Sequence, residues 1–312
     1  MEIDRNIFRA YDIRGIFPKQ INTALYEKIG YVIGMNLKTK KICVCMDGRH
    51  SSEELKDALI RGLMCSDVEI IDIGQLPTPL LNYSLKKLFV KNGLMVTASH
   101  NPKSYNGLKI VLDDITLYGD AIQKIYHDVE KVEEIPIERR GNLKNENDIL
   151  SYYISEIKEK FCIFEKLKVC IDCSNGVTGH VARRVLNEFD IDFTIINEEV
   201  DGNVPNHSPD PTKEENLDQL KAEMKKGKID YMVSLFNPSS KRETSYAIGN
   251  RALNHAPAMK KEAFEFIHKT LFVTLQPDQR KNLVKCLMKK KKAKRAHKRN
   301  GRRGEYNVVV EE

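Results

Sequence analysis

Residues 93–109 hold the sharpest chemical pattern in the chain. An apolar run, Gly93-Leu94-Met95-Val96-Thr97-Ala98, ends in Ser99-His100-Asn101-Pro102, and Tyr105-Asn106-Gly107-Leu108-Lys109 follows closely. A serine at the end of a buried strand lies in the crevice beyond the carboxyl edge of a sheet, where α/β proteins place ligands. His100 and Lys109 are near enough in sequence to share that loop. They could supply positive charge and proton transfer to a serine that attacks, or carries, a phosphoryl group. Residue types and spacing alone leave a second reading open: a polar strand-to-turn loop in which Ser-His-Asn-Pro is turn chemistry.

The elements around this segment set where such a loop sits. Lys41-Ile42-Cys43-Val44-Cys45-Met46 and Val68-Glu69-Ile70-Ile71-Asp72-Ile73-Gly74 read as buried strands, and Gly93 to Ala98 as a third. Ser51-Ser52-Glu53-Glu54-Leu55 opens a helix between the first two, with a serine oxygen as N-cap and acids in the first turn. Leu80 to Phe89 reads as the helix between the second and third. Strands alternating with helices predict βαβ units and a mainly parallel sheet.

The polar stretch Glu133 to Asn147, with Pro136, reads as a linker. A second α/β pattern follows it: a helix over Ile149 to Lys160, a strand over Leu167 to Asp172 and a turn at Asn175 to Gly179. A helix over His180 to Phe189, a strand over Phe193 to Ile196, a Pro-rich loop from Asp201 to Pro211, a helix over Asn216 to Lys226 and a strand from Ile229 complete it. His207 in that loop reads as a packing residue, and Cys170-x-x-Cys173 and Cys43-x-Cys45 as buried thiols rather than metal ligands. The fold class is therefore α/β: two α/β/α sandwich domains with mainly parallel mixed sheets, over 1–135 and 148–236.

After Phe236 this rhythm is lost. Ala256 to Leu275 has helical potential, and 285–303 is polybasic around Lys289-Lys290-Lys291-Lys292. The chain carries a formal net charge of +7 over 312 residues, but residues 231–312 alone hold 19 Lys/Arg against 7 Asp/Glu. That leaves 237–312 as a basic tail, partly helical or disordered. It has the charge to meet nucleic acid or another polyanion. Its aromatics are too sparse for a stacking platform, which favours a solvated charge run. With no apolar run of ~18 residues and no apolar stretch behind Met1-Glu2-Ile3-Asp4-Arg5, neither a membrane partner nor a secretory signal is expected. The 7 irregularly spaced Cys suit a reducing, cytoplasmic compartment.

The serine segment resembles the active-site loop of the α-D-phosphohexomutases, the phosphomannomutase and phosphoglucomutase family. Other segments agree in order: Ile7-Phe8-Arg9-Ala10-Tyr11-Asp12-Ile13-Arg14-Gly15, Gly48-Arg49-His50-Ser51-Ser52, Gly74 to Pro79, Ile171 to Gly176, and Asp201 to Pro211. The resemblance covers residues 1 to about 230, roughly two of the family's four domains. It implies reversible phosphoryl transfer between the 1- and 6-positions of a hexose phosphate. Ser99 is then the phosphoserine, Lys109 a general acid/base and Arg14 a basic group at the phosphoryl centre. His100, Tyr11 and Asn101 are neighbours of phosphoserine and substrate. Phosphoserine carries about −1.5 to −2 charges, which calls for cations around it.

The sequence departs from the family where Mg²⁺ is held. An Asp-Gly-Asp-x-Asp-Arg loop belongs after the strand at Ile229, but the chain runs Tyr231-Met232-Val233-Ser234-Leu235-Phe236-Asn237-Pro238-Ser239. Without those carboxylates only the phosphoserine oxygen of Ser99 remains as an expected ligand for a hard cation. Met232 to Phe236 admits codons whose two-base shift reads Gly-Ile-Ala-Phe, the family's approach to that loop, so a change of reading frame fits the departure. The expectations are a truncated, impaired mutase, or alternatively a non-catalytic remnant that binds phosphosugars or polyanions.

Overall fold

The computed structural model describes residues 3–160, 167–210, 213–226, 229, 231–234 and 247–249. The helix expected over 256–275, the polybasic run 285–303 and most of the tail 237–312 lie outside the described residues. In chain order the elements are β1 (Ile13–Ile16), α1 (Thr23–Asn36), β2 (Lys41–Met46), α2 (Ser52–Met64), β3 (Glu69–Gln75) and α3 (Thr78–Lys87). Then come β4 (Gly93–Val96), β5 (Tyr105–Leu112), β6 (Ile115–Thr116), α4 (Asp120–Glu130), β7 (Asn142–Asn145) and α5 (Ile149–Lys160). The last are β8 (Leu167–Asp172), α6 (Thr178–Leu186), β9 (Ile191–Ile196), α7 (Asp218–Lys226), β10 (Tyr231–Ser234) and β11 (Ala247–Gly249).

The first sheet runs β1-β5-β4-β2-β3-β7, with β6 on β5. Its β4-β2-β3-β7 part is parallel, while β5 is antiparallel to β1, β4 and β6. The second sheet runs β11-β10-β8-β9, parallel except for β11. Both are mixed sheets between helical layers, the class the sequence predicts.

Alternation along the strands sorts the first core into two layers. Ile42 and Val44 of β2, Ile70 of β3, Leu94 and Val96 of β4, and Leu108 and Ile110 of β5 face α1, α2 and α4. Cys43, Cys45, Ile71, Ile73, Met95 and Val111 face the other way, against α3 and α5. That second layer continues into α6 through Val181 and Val185, so one apolar cluster joins the two sheets' helical coats. Cys43 and Cys45 are buried in it, and Cys170 and Cys173 are buried in the second domain, as expected. Burial pushes the thiol of Cys43 up to about 12 and that of Cys170 up to about 11.

Two local expectations change. The segment read as a linker contributes β7, which pairs with β3 from Glu69↔Asn142 to Asp72↔Asn145. Its side chains are all exposed, so there is no apolar alternation to reveal it; the backbone hydrogen bonds make the strand. Ser51 occupies the N-cap of α2 but makes no side-chain cap bond. Its hydroxyl accepts from Asn106 Nδ2 at 2.9 Å instead, drawn to a partner 55 residues away.

Helices α1 and α2 lie very close. A Cβ on Gly62 would stand 1.9 Å from the carbonyl oxygen of Glu27 and 2.7 Å from the amide of Tyr31. Backbone cannot yield there without separating the helices. Gly62→Ala is expected to lower stability by about 1–3 kcal/mol, the usual size of overpacking. Urea unfolding measures this; an unchanged midpoint would show that the pair has slack.

Candidate active site

The parallel strands β2, β3 and β4 end on one edge, and the loops following β2 and β4 meet there. Asp47 and Arg49 follow β2; Thr97 to Ser104 link β4 to β5. Asp47 is 3% exposed and Arg49 5%, and they pair through Nε and Oδ2 at 3.2 Å. Asp47 also accepts from Ser52 Oγ at 2.6 Å and Thr97 Oγ1 at 2.7 Å. Arg49 donates from Nη1 to the carbonyls of Pro102 (2.8 Å) and Tyr105 (2.9 Å), and from Nη2 to those of Ser99 (2.7 Å) and Asn101 (2.6 Å). Burial lowers the Arg49 pKa, with Asp47 opposing the shift.

Ser99 sits inside this frame with a positive φ of 56°. Its amide donates to Thr97 Oγ1 at 2.9 Å, and its Oγ lies 3.3 Å from His100 Nδ1. It is at the carboxyl edge, as the sequence predicts, yet fully buried rather than open at the rim. The left-handed backbone turns it under the next residues while Arg49 holds its carbonyl.

Strand β1 brings the second group. Arg14 pairs with Gly107 across β1 and β5 and donates from Nη1 to Asn101 Oδ1 at 2.7 Å. Its Nη2 forms a very short ion pair with Asp12. Lys109 Nζ lies 3.8 Å from the same Asp12 carboxylate. Asp12 thus joins the two cations that the sequence reading names, and Asn101 links Arg14 to the serine loop. Arg14 Nε is buried with no partner among the described residues. Tyr11 is 68% exposed beside Asp12. Sequence reasoning missed Asp12, Asp47 and Thr97, and left Arg49 without a role; their contacts are tertiary.

The carboxylates here are committed to cations: Asp12 to Arg14 and Lys109, Asp47 to Arg49. Among the described residues no three His, Cys, Asp or Glu side chains are grouped to hold a metal ion. That donor set does not fit Mg²⁺, and Ser99 gathers no carboxylate ligands from the described residues. Nor is any helix among them long and apolar enough to cross a membrane.

A second polar cluster ends β8. Asp172, fully buried at its side chain, meets His207 Nε2 at 2.8 Å, and His207 Nδ1 meets the Ser208 carbonyl at 2.8 Å. Asn197 Nδ2 donates to the other Asp172 oxygen at 3.0 Å. Both ring nitrogens face acceptors, so the imidazolium satisfies them. His207 is thus an ion-pair partner as well as a packing residue.

A buried serine whose loop is framed by arginines and a lysine, at the carboxyl edge of an α/β/α sheet, is an arrangement suited to holding an anion. Known proteins share this architecture. Residues 5–136 match the family model phosphoglucomutase/phosphomannomutase, alpha/beta/alpha domain I, and residues 151–239 match domain II. The chain is 40% identical over 222 residues to phosphomannomutase/phosphoglucomutase of Pseudomonas syringae pv. tomato, spanning 70% of this chain and 47% of that protein. It is 37% identical over 228 residues to phosphoglucomutase of Neisseria gonorrhoeae, spanning 72% and 49%. A phosphoglucomutase/phosphomannomutase family protein from Burkholderia thailandensis superposes with a TM-score of 0.68 at 30% identity, spanning 74% of this chain and 52% of that one. The chain belongs to the phosphoglucomutase/phosphomannomutase family. It spans about half the length of the curated relatives it matches.

Two predictions follow from the buried charges. Asp47→Ala leaves Arg49 buried without its carboxylate and is expected to cost about 3–5 kcal/mol in denaturant unfolding; a loss below about 1 kcal/mol would mean that the pair hardly matters. For His207, burial lowers the pKa, but hydrogen bonds to Asp172 and Ser208 and the Asp172 charge outweigh it and raise it above 6.5. Its stabilisation is complete below the ordinary histidine value of about 6.5 and disappears as pH rises through the raised folded value. Melting curves across that window should show the decline in the parent chain and flatten in His207→Gln.

Proposed function

We propose that this chain carries the phosphoserine centre of a phosphohexomutase, built from the two α/β/α domains 1–135 and 148–236, and acts on a hexose phosphate. The observation that supports this best is the link Lys109–Asp12–Arg14–Asn101, which sets two cations beside the Ser99 loop. The names of the matched relatives point to mannose and glucose phosphates alike.

In the charging step Ser99 Oγ attacks a phosphorus of a hexose bisphosphate. The new P–O bond forms as the bond from phosphorus to the sugar oxygen breaks. His100 Nδ1, 3.3 Å from the hydroxyl, takes the serine proton. Lys109 gives a proton to the departing sugar oxygen and recovers it in the reverse step. Arg14, with a buried Nε and no partner for it among the described residues, neutralises the phosphoryl oxygens, while exposed Tyr11 and half-buried Asn101 border the sugar. Arg49 holds the loop carbonyls, so exposing Ser99 falls to rotation of the Ser99 and His100 side chains.

Sustained isomerisation by this chain alone is proposed to be weak. Two features support that: the run after β10 supplies no aspartates, and the carboxylates around Ser99 are already paired with cations. The strongly basic run 285–303 offers polyanions a separate contact, independent of Ser99.

Incubation with α-D-glucose 1,6-bisphosphate should add ~80 Da, one phosphoryl group, at Ser99 by intact-mass and peptide analysis. Ser99→Ala should abolish the adduct. A parent chain that stays unmodified, or an adduct that survives in Ser99→Ala, defeats this reading. Rapid continuous conversion of glucose 1-phosphate would defeat the claim of weak turnover.

A further inference from the structure

Arginine has five N–H donors, and in Arg49 each has a protein acceptor: Asp47 at Nε, Pro102 and Tyr105 at Nη1, Ser99 and Asn101 at Nη2. Nothing on this guanidinium is left for a phosphate. Arg14 contrasts with it, since its buried Nε has no partner among the described residues. The two arginines near Ser99 therefore do different work. We propose that Arg49 is the positioning residue of the serine loop: it fixes the backbone from Ser99 to Tyr105, and so the place from which the Ser99 hydroxyl reacts. This deepens the functional reading above and rests on it.

Four observations carry the inference. Three of the four carbonyls, those of Ser99, Asn101 and Pro102, belong to irregular backbone and the fourth, Tyr105, opens β5; one rigid planar group binds them all. The clamp is anchored, because Asp47 also accepts from the Arg49 amide at 3.1 Å and from Thr97 Oγ1. Thr97 Oγ1 in turn accepts from the Ser99 amide, so Asp47 and Arg49 grip both ends of the Ser99 peptide environment. Finally, the segment carrying Arg49 is itself braced by the second domain. A Cβ on Gly48 would lie 2.2 Å from Val200 Cγ1, and one on Gly202 would lie 2.7 Å from the His50 amide. His50 Nε2 also approaches Asp201 Oδ1 at 3.9 Å. The loop at 200–202 is thus seated on residues 48–50 from above, and the second domain reaches the serine loop through Arg49.

Lysine cannot reproduce this role. It has three donors on a single atom, without the planar fork that spans four carbonyls. The test compares the full chain with Arg49→Ala and Arg49→Lys in two measurements. Amide hydrogen exchange over 97–106 is read against the rest of the chain, and Ser99 phosphorylation by α-D-glucose 1,6-bisphosphate is followed by intact mass under single-turnover conditions. Both variants are expected to exchange at least about 10-fold faster in that loop, with protection retained in β2 and β4. Both should phosphorylate about 100-fold more slowly, the usual penalty of an ångström of misplacement. Millimolar guanidinium should restore much of the rate in Arg49→Ala, where a vacant slot fits it, and methylammonium should not.

Unchanged loop exchange in either variant overturns the proposal. So does slow phosphorylation that guanidinium cannot rescue in a chain whose core protection has collapsed, since that is a folding role only. A parent chain that takes no phosphoryl group defeats the mutase reading instead, and the exchange data then decide the clamp by themselves.

Discussion

The buried pair of Asp47 and Arg49 is the constraint on which the rest of the site depends. Taking both charges out of water is expensive, and such a pair is weak evidence for stability in itself. Its effect here is geometric. The loop between β4 and β5 reverses the chain in eight residues, and its buried or half-buried carbonyls at Ser99, Asn101 and Pro102 lie outside any strand or helix. Each such group left unpaired costs on the order of 1–3 kcal/mol. One guanidinium bonds these three and the Tyr105 carbonyl at the start of β5, which favours the loop shape that presents all four oxygens to it. The positive φ of Ser99 is tolerated for the same reason, because surrounding bonds over-determine it.

A second charge relation operates at β1. Asp12 lies between Arg14 and Lys109, so neither cation faces the site unbalanced. An arriving phosphoryl group is a stronger acceptor than a single carboxylate and competes for the same donors. For the proposed reaction, cations already held in place are the preorganisation that phosphoryl transfer depends on. With Asp12 and Asp47 engaged in this way, the described surroundings of Ser99 form a cradle for an anion rather than a cage for a divalent cation.

What was legible in the sequence follows from which physical signals are local. Strands β2, β3 and β4 are continuous apolar runs between helix starts, and β8 and β9 repeat the pattern, so periodicity and punctuation reveal them. Strand β1 is four residues containing an arginine and a glycine, and β5 is broken by Asn106, Gly107 and Lys109; neither carries a periodic signal. Strand β7 has no buried side chain at all. Ser99, His100, Lys109 and Arg14 could be named because the motif around them resembles a known family. Arg49 stood within a matched segment without a role, since its partners lie about 50 residues away and are backbone oxygens that no residue type advertises. Ser51 shows the reverse error: a good cap residue by type, diverted by a distant asparagine.

The same logic links the second domain to the first. Asp172 and His207 tie the loop beyond β9 to the carboxyl end of β8, and the loop continues back through Val204 and Gly202 to the seam on Gly48 and His50. Asn175 accepts from Asn206 at 2.7 Å and donates to the Glu199 carbonyl at 2.9 Å, which closes that loop at both ends. A loop so tied is fixed to its own sheet at several points. Its contact with residues 48–50 therefore transmits the position of the second sheet to Arg49 and, through four carbonyls, to Ser99. Ser99 belongs to one domain by sequence, but the loop that carries it is braced by contacts from both.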